Sequence, residues 1–327
     1  MGQVQRILIK NDDVGLRVDR WFKLHYPYIN HNYLEKLLRT GQVRINGSRV
    51  KSGTRLKAGQ FVRVPPLDDG LKMNPSLNSK SSKPDIKNVE IKKLKNRIIH
   101  IDDDVLIFDK PPGLAVQGGS KLSRNLDDIL DMFCFEKNEK PRLVHRLDKD
   151  TSGLLLLARN VFSARELTKS FRYKKIRKIY WSIVVGVPLS ENGIIDLKLA
   201  KLQGLRGEKV EIAISGGKVA QTKYRVVDQI TDKASWIIFE PLTGRTHQIR
   251  AHAAALGTPI LGDKKYGQRK SFINNERISS RLHLHARGLQ FPHPSGHMME
   301  AIAPIPNHIK QTFEVFGFDY KKEKIIF

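Results

Sequence analysis

The stretch from His145 to Ala158 constrains this chain more than any other. A loop rich in acids and bases, His145-Arg146-Leu147-Asp148-Lys149-Asp150-Thr151-Ser152-Gly153, runs directly into five apolar residues, Leu154-Leu155-Leu156-Leu157-Ala158. So short and wholly apolar a run predicts a strand buried on both faces. A buried strand anchors whatever precedes it. If the loop is locally extended, alternation turns Arg146 and Asp148 to one side and Leu147 to the other, so that a guanidinium and a carboxylate enter the same cleft. Taken alone, Asp148 reads as a solvated turn acid, and Asp150 or Thr151 as a turn former ahead of Gly153.

Charge narrows the partner. Fifty-eight Lys and Arg against 33 Asp and Glu leave +25, a field that attracts polyanions with a strength that falls as salt rises. Nucleic acid is the expected partner. An acidic membrane surface is the rival, but the basic residues are spread over many strand-like segments and form no single amphipathic helix. No apolar run approaches the roughly 18 residues needed to cross a bilayer, and Met1 to Lys10 lacks a secretory pattern. A cytoplasmic protein without membrane contact is expected. Cys134 is the single cysteine, which excludes a disulfide framework within the chain and points to a small buried hydrophobe. His283, His285, His293 and His297 lie close together, but Pro292 and Pro294 break any helix that could align them, so no metal site is expected.

The 327 residues exceed one average domain and divide by composition. Residues 1–65 carry thirteen Lys and Arg against four acids, a net +9. Val18, Trp21, Phe22 and Leu24 recur at helical spacing, and Asn30 caps a second helix bearing Tyr33, Leu34, Leu37 and Leu38 that ends at Gly41. Strands follow at Val43–Ile45 and Phe61–Val64, with turns at Asn46-Gly47 and Ala58-Gly59. Residues 66–96, with Asn78-Ser79-Lys80-Ser81-Ser82-Lys83-Pro84 and a lysine-rich end, read as a flexible linker. From 97 to 327 short strands (Val105–Phe108, Leu154–Ala158, Tyr180–Val185, Lys223–Val227, Trp236–Glu240) alternate with helices near Leu126–Phe135, Val161–Phe171 and His247–Leu256. The expectation is an α+β fold with a largely antiparallel sheet and a small α+β domain before it.

In the first module, Arg17-Val18-Asp19-Arg20, the run from Leu38 to Gly47 and Lys57-Ala58-Gly59-Gln60 are similar to the small RNA-binding domain first described in ribosomal protein S4. Arg17, Arg20, Arg39 and Arg44, with Arg49, Lys51 and Arg55, suit contacts to phosphate, which position a substrate without reading its sequence. Four further segments carry a second resemblance: Asp109-Lys110-Pro111-Pro112-Gly113-Leu114; the His145 to Leu155 string; Arg177-Lys178-Ile179-Tyr180 after five basic residues in the seven positions 172–178; and Thr243-Gly244-Arg245-Thr246-His247-Gln248-Ile249-Arg250-Ala251-His252. In this order they resemble the RluA-type pseudouridine synthases, most closely the RluC branch of the RluC and RluD enzymes. Leu261-Gly262-Asp263-Lys264-Lys265-Tyr266-Gly267 recurs there too, and its plain reading is packing. Thr246 reads as the N-cap of the last helix and His252 as structural. The charged tail Tyr320 to Lys324 departs from the family's pattern.

The resemblance implies a bent central sheet with the active cleft along one face, and an isomerase that turns uridine into its C-glycoside in large-subunit (23S-type) ribosomal RNA or a pre-ribosomal particle. It acts as a monomer, without cofactor. It assigns Asp148 as the catalytic carboxylate, Arg245 as its salt-bridge partner and Tyr180 as the ring over the target base. Arg146 fills the gap left by an extruded nucleotide, and His145 joins it in substrate binding. The reaction itself involves no redox step or phosphate energy. An ionised carboxylate can stabilise cationic sugar, take a proton or bond covalently, and the residues do not choose among these roles. An inactive RNA-binding assembly factor and a base-releasing hydrolase are the alternatives.

Overall fold

The computed structural model describes residues 3–10, 13–26, 28–29, 31–67, 88–118, 125–137, 139–201, 209–213, 215–325 and 327. It divides between Asp85 and Ile86 into two compact units.

The first unit holds β1 (Gln5–Leu8), α1 (Val18–His25), α2 (His31–Arg39), β2 (Arg44–Ile45), β3 (Ser48–Arg49) and β4 (Phe61–Val64), its strands forming an antiparallel sheet in the order β1-β4-β2-β3. The helical spacing read from the sequence does bury Val18, Trp21 and Phe22 of α1 with Leu34, Leu37 and Leu38 of α2 against Val62 and Val64. Asn46 (φ 47°) and Gly47 (φ 82°) make the two-residue left-handed turn that joins β2 to β3. β1 escaped the sequence reading because its side chains are mostly exposed and show no clean alternation. The Asn30 cap lies outside the described residues.

The linker expected over 66–96 is corrected at its end: Asn88–Lys95 is α3, and Leu94 packs on the core of the second unit. Residues 68–87 are outside the described set.

The second unit continues with β5 (Ile98–Ile101), β6 (Val105–Lys110), β7 (Arg142–Leu143), β8 (Ser152–Ala158), α4 (Val161–Arg172), β9 (Arg177–Val185), β10 (Asn192–Lys201), β11 (Val210–Ile212), β12 (Lys218–Ile230), β13 (Ala234–Pro241), α5 (Gln248–Ala255), β14 (Leu284–Pro292), β15 (Met298–Ile302) and α6 (Asn307–Phe316). Eleven described strands form one sheet in the order β11-β10-β12-β13-β9-β14-β8-β6-β5, with β15 beside β14 and β7 beside β8. The fold is therefore α+β with an antiparallel-dominated sheet. The helical segment expected near Leu126–Phe135 is a 3₁₀ helix over Asp127–Phe133.

Among the contacts between the named strands one is parallel, and it positions the site. β8 meets β14 at His285↔Ser152 and Ala286↔Gly153. Gly153 has φ +106°, and a Cβ there would lie 2.2 Å from the Ala286 carbonyl oxygen. Only glycine permits this approach. All seven residues of β8 are buried, and the Ser152 hydroxyl meets His285 Nδ1 at 2.9 Å. The loop that precedes β8 is thereby fixed to the centre of the sheet.

Candidate functional site

The loop 145–151 is held from both ends. His145 Nε2 accepts the Leu156 N–H at 2.8 Å, and its ring stacks on Phe171 at 4.6 Å. Burial pulls the imidazole down to about 3, with Lys178 adding to the effect, so the ring is neutral and accepting. His145 lines the cleft, and this bond ties its ring to β8. At the other end the fully buried Lys110 donates from Nζ to the carbonyls of Pro111 (3.0 Å), Leu114 (3.0 Å) and Lys149 (2.9 Å). The strand expected to stop at Phe108 runs on to Lys110 because Asp109 and Lys110 continue its pairing with Leu154 and Gly153, and the proline-glycine turn folds over the ammonium. Burial draws Lys110 down to about 7 against the opposing carboxylates of Asp150, Asp148 and Asp109.

These clamps place Asp148 in a cleft of 940 Å³. Its walls come from loop 144–151, the start of β9 and the segment from Glu240 to Arg250, with Arg146, Arg172, Lys174, Arg177, Lys178, Arg245 and Arg250 against the carboxylates Asp148 and Glu240. Tyr180 lines the cleft from β9. Burial, and the Asp148 charge after it, push its hydroxyl far above its ordinary range, so the phenol stays protonated.

The guanidinium facing Asp148 is not the expected one. Arg250 Nη1 lies 3.9 Å from Asp148 Oδ2, and His247 Nε2 lies at the same distance. Arg245 is exposed and gives its Nε–H to the Val219 carbonyl at 3.1 Å, and the salt bridge assigned to it belongs to Arg250. The cause lies in the helix start. Gln248 accepts from the Arg245 N–H (3.0 Å) and the Thr243 hydroxyl (2.7 Å) while donating to Gln221 and Thr222. This pins the segment holding Arg245 against β12, and α5 begins only after it. The N-cap falls on His247, at φ +52°, and not on Thr246. His247 and Arg250, three apart, share the helix face turned to Asp148.

Both groups are oriented from behind. Asp263, buried, takes Nε–H and Nη2–H of Arg250 at 2.8 and 2.7 Å and also accepts the N–H groups of Lys265 and Tyr266. The Tyr266 hydroxyl accepts the Val210 N–H at 3.0 Å and lies 3.0 Å from His247 Nδ1. The Tyr266 hydroxyl, anchored by Val210, thus fixes the orientation of the His247 ring, whose Nε2 faces Asp148. The segment read as packing thus holds both partners of the carboxylate.

Burial raises the Asp148 carboxyl above the ordinary range, opposed by Arg250, Arg146, Lys110 and Lys265 in that order. The expected lowering by a guanidinium is outweighed. At 3.9 Å the Arg250 charge contributes about 4 kcal/mol at an effective dielectric near 20. That distance exceeds a hydrogen bond, so the pair acts on the carboxylate through charge. Among the described residues no group of three or more His, Cys, Asp or Glu is placed to hold a metal ion.

Of the remaining expectations, His252 is structural as read, fully buried with Nδ1 on the Thr222 hydroxyl. Arg17, Arg20, Arg39 and Arg44 belong to the first unit. Arg17 is joined to Asp19 through two bonds of 3.2 and 2.6 Å, and Arg44 donates to the Gly41 and Gly47 carbonyls at 2.9 and 3.2 Å. Arg20 and Arg39 are exposed on α1 and α2.

Residues 104–255 match the family described as RNA pseudouridylate synthase. The chain is 34% identical over 317 residues to ribosomal large subunit pseudouridine synthase C of Vibrio cholerae serotype O1, covering 95% of this chain and 96% of that one. It is also 34% identical over 271 residues to the protein of the same name from Rickettsia conorii, covering 81% and 86%. Among solved structures, human RNA pseudouridylate synthase domain containing 4 superposes with a TM-score of 0.57 at 27% identity, over 70% of this chain and 96% of that one.

Proposed function

We propose, from the premise that this chain belongs to the RluA-type family of RNA pseudouridine synthases and is an isomerase of RNA, that its substrate is uridine in large-subunit ribosomal RNA and that Asp148 is its catalytic carboxylate. The observation that carries the reading is the buried acid itself. A carboxylate held 3.9 Å from a guanidinium already gripped by a second carboxylate, in a cleft whose Lys and Arg outnumber its acids seven to two, suits a reaction on a polyanion in which positive charge develops on a sugar.

The isomerisation breaks the bond from N1 of uracil to the ribose, turns the base and joins its C5 to the same sugar carbon; the C5 proton leaves and N1 gains one. Asp148 supplies negative charge beside the ribose. Arg250 opposes the effect of burial and favours the ionised form, and Tyr180 offers a protonated phenol and a ring face to the base. A stacked uridine cannot reach an acid set this deep, so the target is extruded at a cost of a few kcal/mol. Arg146, exposed at the cleft mouth, takes its place in the stack with its flat guanidinium. The exposed cations of the first unit hold flanking RNA through phosphate.

The test uses RNA labelled with tritium at C5 of uridine. The wild-type chain releases tritium and leaves no abasic site. Asp148→Ala lowers release more than about 10³-fold and binds the RNA within about twofold of wild type. Abasic sites would identify a hydrolase, RNA binding without tritium release a binding factor, and undiminished release from the variant would remove Asp148 from the chemistry.

A further inference from the structure

A second groove, of 370 Å³, opens beyond the rim of the cleft. Tyr180 and Phe239, paired across β9 and β13, face the core beneath α5, whereas Ile179 and Ile238 lie on the opposite face and line the groove. Arg177 and Glu240 border both spaces, and the bonds of 2.9 and 3.2 Å between them form the rim. Along β12, Gln221 lines the cleft, while Lys223 and Arg225, successive steps of two on the same face, line the groove.

The tail that fitted no family pattern closes the groove. Tyr320 stacks on Phe313 with ring centres 5.7 Å apart, Glu323 pairs with Arg225, and Ile325 and Phe327 lie against Gly288, where a Cβ would stand 3.2 and 3.0 Å from them. Lys324, exposed between these anchors, lines the groove. Its charged lining is therefore Arg177, Lys223, Arg225 and Lys324 against Glu240 and Glu323, and each acid is already paired with an arginine. Lys223 and Lys324 carry the surplus of two positive charges, above an apolar floor of Ile179, Ile238 and Ile325.

The geometry points to this groove as a track for the phosphate backbone of RNA flanking the target nucleotide, entered from the cleft over the Arg177–Glu240 rim. The inference rests on the RNA reading given above. Phosphates meet the two lysines while ribose or base edges lie on the isoleucines, so the groove adds affinity without reading sequence.

The test is the double variant Lys223→Gln/Lys324→Gln, both sites exposed, with Lys223→Arg/Lys324→Arg as the charge-keeping control. Binding of naked large-subunit ribosomal RNA weakens about five- to tenfold near physiological salt, the slope of log affinity against log salt falls by about 1.5, and the Arg pair binds as wild type does. The maximal rate of tritium release is unchanged. Unaltered affinity and slope overturn the proposal, and so does a loss of binding confined to assembling particles, which would make the occupant a protein. Affinity is measured without turnover, so a wild-type chain that makes no pseudouridine would sink the functional reading and leave this result standing.

Discussion

The two units handle charge in opposite ways. In the first, the exposed Arg17 and Arg55 and the half-buried Arg44 and Arg63 bond to Asp19 or to nearby carbonyls of Gly41, Gly15 and Gln42. His25, on α1, is an exposed partner of Asp13. In the second, a set of titratable groups is buried. Arg250 and Asp263 grip each other out of water, and His145, His252, His283 and His285 are drawn down to about 3, 4, 3 and 3, with burial the largest cause in each case. Exposed charges act on a polyanion by number, each worth up to about 1 kcal/mol locally. Buried ones act by position, and they bind the stability of the unit to its protonation.

Acid is the strongest way to break that comparison. The four buried histidines stay neutral in the fold until about 3 to 4, whereas in the unfolded chain they take protons near 6.5. The unfolded state therefore binds more protons throughout that window. The stability is fully present above 6.5 and is lost as pH falls toward 4. Each group contributes up to about 1.4 kcal/mol per pH unit, enough in sum to unfold a marginal domain. In a Trp21→Phe variant the emission reports only Trp181 and Trp236, both in the second unit. Its urea midpoint should fall steeply between pH 7 and pH 5, while the first unit, followed by Trp21 in Trp181→Phe/Trp236→Phe, moves little. Equal losses in both units would show that buried histidine does not separate them.

The next largest effect distinguishes two arginines five residues apart. Arg250→Lys keeps a charge but cannot span Asp263 and Asp148 as a planar fork, and Asp263→Asn weakens the same grip. Each should lower the rate of tritium release about 10²-fold with little change in KM. Arg245→Ala should cost about tenfold or less, chiefly in KM. A larger rate loss at Arg245 than at Arg250 would mean that the carboxylate's partner is exchanged when RNA binds.

This pair also shows where the sequence stops being legible. β8 was plain because four leucines and an alanine in a row admit little besides a buried strand, whereas its start at Ser152 and the close approach at Gly153 depend on β14, far away in sequence. The loop carrying Asp148 followed from that anchor. The identity of the partner did not, because either arginine of Thr243 to His252 could reach the acid until Gln248 fixed where α5 begins. The three-residue step from His247 to Arg250 was the available signal, obscured by the assumption that Thr246 capped the helix. Asp263 and Tyr266 were hidden for a different reason: their work is to hold other side chains across 13 and 19 residues of sequence, a relation that no local spacing encodes. α3 was lost to the lysines of its surface, which resemble a linker until Leu94 is seen against the core.

The smallest effect tests the first unit alone. Arg20 and Arg39 are exposed, so Arg20→Ala or Arg39→Ala should each reduce the salt slope of RNA binding by about 0.7 to 0.9, one phosphate's share, and leave the thermal midpoint of the unit in place. Arg44 gives donors to the Gly41 and Gly47 carbonyls on either side of its strand. Arg44→Ala should therefore cost about 1 kcal/mol of stability and change the slope less than either exposed residue does. A full unit of slope lost at Arg44 with stability intact would mean that its guanidinium abandons the hairpin for phosphate, and the division between scaffolding and binding arginines in this unit would fall.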